Sequence, residues 1–152
     1  MLFTLTSCSG GNNAPDIRVA DESDARVYFG DLACDCHISY VNGSTASVTI
    51  LSPESIQGMK FTRSDNKSSA SLGGMLCRRE APMTTESALD TRLFGMLDAL
   101  SQADYELKKE QNGVFSFTAA NGERSVSGKA DSQGHLLLLE EEGLCIKFEE
   151  HK

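Results

Sequence analysis

Short runs that alternate apolar and polar residues, separated by turn-forming pairs, constrain this chain more than any other feature. Residues 25–29, 33–41 and 45–51 each carry a period of two, the mark of strands with one buried face. The loop lengths set the register, because a slip of one residue turns every side chain to the opposite face. A two-residue Asn42-Gly43 loop would set Ile38 beside Ser47 and mix the faces. A three-residue loop, Val41-Asn42-Gly43 with Gly43 left-handed, instead pairs Ile38 with Ala46, Cys36 with Val48 and Cys34 with Ile50. By the same logic Gln111-Asn112-Gly113 pairs Leu107 with Phe117 and Tyr105 with Ala119, and an Asn121-Gly122 turn sets Phe117 opposite Val126. Turns over residues 131–134 and 141–143 lead into residues 136–140 and into Leu144, Ile146 and Phe148. The expected fold is an antiparallel meander of about nine strands, roughly four before and five after one interruption.

The interruption is helical. Over residues 84–100 the apolar side chains fall at Leu89, Leu93, Met96, Leu97 and Leu100, the spacing of one helix face, with Asp90, Arg92 and Asp98 off that face. Pro82 precedes it, Thr84 or Thr85 can cap it, and Glu86 suits the positive end of its dipole.

Size then decides what the sheet needs. Nine strands at ~4.8 Å spacing and ~20 Å length present a face on the order of 900 Å², while a helix of ~18 residues shades roughly 270 Å². One helix cannot cover that face. The sheet must curl into a half-barrel, accept an apolar ligand or dock on a partner. The inner-face phase selects Phe61, Leu93, Leu97, Phe115, Phe117, Ile146 and Phe148 as candidate cavity liners.

Composition narrows the function classes. A chain of 152 residues is one domain's worth, and 14 Lys and Arg against 22 Asp and Glu give a net charge of −8, which opposes phosphate binding and excludes a nucleic-acid role. No apolar run approaches the ~20 residues that cross a bilayer. The sequence holds no Gly-x-Ser-x-Gly elbow, His-Glu-x-x-His or phosphate-binding loop, so no enzyme and no cofactor is expected.

Leu5-Thr6-Ser7-Cys8 matches the lipobox of bacterial lipoproteins, in which small residues admit the backbone to a peptidase cleft and the Cys thiol is acylated. The plainer alternative is a small buried Cys. On the lipobox reading, residues 1–7 are the remnant of a signal peptide, too short and without a basic residue. Residues 8–24, beginning Cys8-Ser9-Gly10-Gly11-Asn12-Asn13-Ala14-Pro15, are then a lipid-anchored flexible tether, and residues 25–152 a single domain on the outer face of the membrane.

The order of tether, strands, the segment Pro53-Glu54-Ser55-Ile56-Gln57-Gly58-Met59-Lys60-Phe61, one long helix and a closing meander ending Leu144-Cys145-Ile146-Lys147-Phe148 resembles the short LolA-like lipoproteins of Gram-positive bacteria. These are similar to lipoprotein carriers whose curved half-barrel cups helices over an apolar cavity. The resemblance implies binding of an acyl chain, a lipoprotein or a hydrophobic envelope partner by a monomer, or support of a cell-wall or germination-related enzyme as a non-catalytic interaction module. It brings no catalytic residues. This chain departs from the soluble carriers in lacking a substantial N-terminal helix and in carrying its own lipidation motif.

A metal-binding module is the third class, suggested by Cys34-Asp35-Cys36-His37. Alternation along a strand opposes it, since the thiols and the imidazole would point to opposite faces. Cys34, Cys36, Cys77 and Cys145 allow three disulfide pairings, with Cys145 expected on the face away from Cys34 and Cys36. His37, His135 and His151 have no recognisable partner in the sequence and read as surface residues.

Overall fold

Alternation becomes a single sheet. The computed structural model describes residues 14–65, 67–79 and 88–149. Six strands precede the helix: β1 (Glu22–Phe29), β2 (Leu32–Asn42), β3 (Thr45–Ser52), β4 (Lys60–Ser64), β5 (Lys67–Leu72) and β6 (Met75–Arg79). After α1 (Leu89–Gln102) come β7 (Tyr105–Lys109), β8 (Phe115–Asn121), β9 (Arg124–Ala130), β10 (Leu136–Glu141) and β11 (Leu144–Phe148). The spatial order is β6-β5-β4-β3-β2-β1-β11-β10-β9-β8-β7, with every neighbour antiparallel. First and last strands therefore pair in the middle, and β6 and β7 are the edges of an open sheet. The connection that contains α1 spans from one edge to the other.

Eleven strands stand where about nine were expected. The surplus lies before the helix, where Lys67-Ser68-Ser69-Ala70-Ser71-Leu72 and Met75-Leu76-Cys77-Arg78-Arg79 carry too little apolar alternation to announce themselves. They become strands because Gly73 and Gly74, at φ 57° and 85°, fold them into a tight hairpin along β4.

Two registers move by two residues while keeping the expected face. Ile38 pairs with Val48, Cys36 with Ile50 and Tyr40 with Ala46, because a bulge leaves Val41 unpaired and the turn closes on Gly43 and Ser44. Gly43 does not take the left-handed conformation expected of it. At the other hairpin Asn121 pairs with Arg124, so Ala119 faces Val126 and Phe117 faces Gly128. Only glycine fits there, since a Cβ would lie 2.5 Å from Phe117 Cζ and 2.4 Å from the Leu138 carbonyl. The Leu107–Phe117 and Tyr105–Ala119 pairs form as expected.

The helix has 14 residues and begins five residues later than the periodicity suggested. Ala88 is its N-cap and supplies no side-chain cap; Pro82, Thr84, Thr85 and Glu86 lie outside the described residues. The domain also reaches further back than residue 25. β1 starts at Glu22, Ile17 is buried in the core, and Arg18 bridges to His135. The Ile17 amide donates to the Tyr105 hydroxyl at 3.0 Å, which in turn donates to Asp16 at 3.2 Å. Any tether from Cys8 thus ends before Asp16.

One core fills the space between α1 and the inner sheet face. Leu93, Met96 and Leu97 of the helix and Val27, Cys36, Leu139 and Ile146 of the sheet are all buried in it.

Candidate functional site

The helix is held to the sheet by charge as well as by apolar packing. Asp90, Arg92 and Asp98, which the apolar face leaves aside, are all drawn in. Asp90 is buried; Arg92 and Asp98 are mostly covered and ion-paired. Toward the C-terminus of α1, Arg63 of β4 donates to both oxygens of Asp98 at 2.7 and 2.9 Å and lies over the Phe94 ring at 5.0 Å. The Tyr40 hydroxyl donates to Asp98 at 2.9 Å, and burial pushes its pKa above the ordinary tyrosine value. Toward the N-terminus, Glu141 of β10 accepts from Arg92 Nε at 3.0 Å and pairs with Arg124 Nε at 3.4 Å. Arg92 also donates to the Glu142 carbonyl. Gly95 leaves room for this second clasp, because a Cβ there would meet the Arg124 guanidinium. A paired, partly desolvated charge at each end fixes where the helix lies along the sheet.

Among the described residues, that placement leaves one flank of the inner face without a helix over it. The helix lies nearest β8, β9 and β10. On the far wing Val48 pairs with Phe61, Phe61 with Ala70 and Ala70 with Cys77, so this row shares the core-facing side of β3. Leu72 and Met75 continue the same side one pair further along. Met59, Phe61, Ala70 and Leu72 are half-buried, while Met75 is 73% exposed. An apolar strip therefore opens beside the helix at the β4–β6 wing.

The candidate liners divide along this line. Leu93, Leu97, Phe117 and Ile146 belong to the packed core, and Phe115 is also buried. Phe148 is half-buried against the core near β1, away from the wing. Phe61 alone among them borders the open strip. Ala70, Leu72 and Met75, which share that strip, were missed because β5 and β6 were not legible as strands. Cys8 lies outside the described residues.

The opposite face carries a polar cluster on β1 and β2 as well as the exposed Tyr28, Val41, Leu51 and Leu76. His37 stands between Asp24 and Glu22, each 2.6 Å from a ring nitrogen, and Ser39 donates to Glu22 at 3.0 Å. This corrects the reading of His37 as unpartnered. Asp24 faces it across β1 and β2, a neighbour that only the strand register supplies. His135 likewise sits 3.0 Å from Asp131. The hydrogen bond to Asp24, followed by that to Glu22, raises the His37 pKa above its ordinary value. Its stabilising effect is then present below the unfolded-state value of ~6.5 and is lost as pH rises through the higher folded-state value. Thermal melts should accordingly show wild type losing stability relative to His37→Gln as pH rises from below ~6.5; parallel pH profiles would contradict this.

The thiols occupy both faces. Cys34 and Cys36 point into the core and Cys145 outward, and these three and Cys77 are all free. Burial raises the Cys34 pKa and, with the neighbouring Cys34, Asp35 and Asp24, pushes Cys36 up to about 12. The Cys34 and Cys36 thiols and the His37 imidazole thus lie on opposite faces of β2. Among the described residues no group of three or more His, Cys, Asp or Glu side chains is arranged to hold a metal ion, and no helix is long and apolar enough to cross a membrane.

No family model and no curated protein matches the sequence. Among solved structures, the chain is similar to an uncharacterized conserved protein from Thermus thermophilus, at 11% identity and a TM-score of 0.48 over 84% of this chain and 74% of that one. It is also similar to a LolA superfamily protein from Nitrosomonas europaea, at 10% identity and a TM-score of 0.45 over 91% of this chain and 89% of that one.

Proposed function

We propose that this chain is a non-catalytic binding module of the cell envelope that takes an apolar ligand, an acyl chain or the apolar segment of a lipoprotein, on the inner face of its β4–β6 wing. The observation that carries this is the strip of half-buried Phe61, Ala70 and Leu72 and exposed Met75 beside α1, which no described helix covers. Its physical cause is an area mismatch. Eleven strands at ~4.8 Å spacing present on the order of 1,000 Å² per face, while 14 helical residues shade roughly 210 Å². The two ion-pair clasps keep the helix from sliding over to close the gap. Contiguous apolar surface beside a polar rim favours an apolar occupant. Attachment to the outer face of the membrane through acylated Cys8 belongs to the same proposal and is supported by Leu5-Thr6-Ser7-Cys8 and the small polar residues after it.

Titration with cis-parinaric acid tests the binding face. Saturable, one-to-one fluorescence enhancement is expected, together with a phospholipid adduct in native mass spectra after incubation with phosphatidylglycerol vesicles. Leu72→Glu and Met75→Glu should weaken uptake by tenfold or more, since removing about 50 Å² of apolar contact is worth roughly 1.3 kcal/mol. Both sites lie off the core, so the melting temperature should hold. Absence of saturable uptake, or uptake indifferent to both substitutions, would overturn the proposal.

A further inference from the structure

The two edges of the sheet are built differently. β7, Tyr105–Lys109, carries Glu106, Lys108 and Lys109, the charged dressing that discourages strand-to-strand association. β6 keeps its charges, Arg78 and Arg79, at one end and begins Met75-Leu76-Cys77, with Met75 and Leu76 among the most exposed large apolar residues and Cys77 exposed beside them. The hairpin tip at Gly73 and Gly74 stands clear, since a Cβ built on either glycine meets nothing within 4 Å.

The turn dictates which backbone groups of β6 are free. Positive φ at both Gly73 and Gly74 makes a two-residue loop closed by Leu72 and Met75, and in such a turn the closing pair exchanges both hydrogen bonds. Bonded and non-bonded pairs then alternate, so Ala70–Cys77 is bonded as well. The N–H and C=O of Cys77 point at β5, and those of Leu76 and Arg78 point away from it, where no described strand pairs with them. Cys77 is also the middle residue of the five in β6. A two-fold axis through that point brings Leu76 opposite Arg78 of a second copy, each satisfying the other's free groups. It also brings Cys77 opposite Cys77 in a non-bonded pair. Their Cα atoms would stand ~4.5 Å apart, within the roughly 4.4–6.8 Å that a disulfide spans.

We propose that β6 is a self-pairing edge, along which two copies of this chain join antiparallel and are locked by a disulfide between their Cys77 residues. A non-covalent pairing of two five-residue strands covers far less than the ~1,200 Å² of a stable interface, so the reduced protein stays monomeric and the covalent bond decides. Partners within the described chain are out of reach. Cys34 and Cys36 lie four strands away, roughly 19 Å, and Cys145 is on the opposite face. The oxidant is a small disulfide: Cys77 thiolate of one copy attacks glutathione disulfide and releases one glutathione. The second copy's thiolate then displaces the other, leaving one protein disulfide and two reduced glutathiones. Both inner faces end on the same side of the joined sheet. This pairing does not depend on what the wing binds.

The full chain is incubated with glutathione disulfide and followed by non-reducing electrophoresis, light scattering and peptide mapping. A species of twice the monomer mass, linked Cys77 to Cys77 and returned to monomer by dithiothreitol, is expected; Cys77→Ser should remain monomeric. Leu76→Pro keeps the thiol and every bond to β5 but removes an outward donor from each copy, and should slow cross-linking by roughly tenfold, the loss of two backbone hydrogen bonds. Leu76→Thr should cross-link at the wild-type rate. Arg78→Pro removes the matching donor at the other end and repeats the test if Leu76→Pro unfolds. A wild-type protein that stays monomeric, a link mapping to Cys8 or another cysteine, or proline variants that cross-link as fast as wild type would each overturn the pairing.

Discussion

A Glu141→Ala variant is expected to lose roughly 2–4 kcal/mol of stability, somewhat below the ~3–5 kcal/mol of a fully buried ion pair because Arg124 keeps some contact with water. The Glu141 side chain is only 10% exposed and serves Arg92 and Arg124 together. Removing it leaves two guanidinium groups facing each other in a partly desolvated space. The melting temperature should fall by roughly 5–15 °C. A triple change, Glu141→Leu with Arg92→Met and Arg124→Met, should recover most of the loss, since apolar groups of similar volume replace the whole cluster without stranding a charge. A melting temperature unchanged in Glu141→Ala would mean that the clasp contributes nothing to holding α1.

Leu97→Ala is expected to cost about 2–5 kcal/mol, the range for a buried leucine whose surroundings only partly collapse. Leu97 is fully buried beside Leu93, Met96 and Ile146, in a core whose helical layer is a single helix. No second helix among the described residues can move in to fill the void. Urea unfolding should show a lower midpoint at an unchanged slope, which reports lost stability and not a change in the surface exposed. A midpoint within error of wild type for Leu97→Ala would mean that the helix is dispensable to the core.

Much of the architecture is legible in the residue pattern. Wherever a strand alternates cleanly, as at Cys34, Cys36, Ile38 and Tyr40, its buried face follows from parity alone, and the inward set is the expected one even where the partners moved. The helix face of Leu93, Met96, Leu97 and Leu100 is equally plain. Partners are less secure, because a bulge at Val41 changes the pairing by two residues while preserving the face. The β5–β6 hairpin is not visible at all, since its serines neither alternate strongly nor forbid a strand; pairing along β4 and the Gly-Gly turn make it one. With it went most of the candidate site: Phe61 could be named, but Ala70, Leu72 and Met75 could not.

What this sequence determined alone is what short-range patterning can encode: period-two strands, one amphipathic helix, a net charge of −8, and an apolar area too large for that helix to shade. What only the tertiary structure decided is where the helix rests, and hence which flank stays open. That choice depends on Asp98 meeting Arg63 and Arg92 meeting Glu141, contacts across 35 and 49 residues of chain whose energy exists only once the sheet has brought their elements within a few ångströms. Local sequence has no means of expressing such a distance, because hydrogen bonds and ion pairs are set by position in space and not by spacing along the backbone.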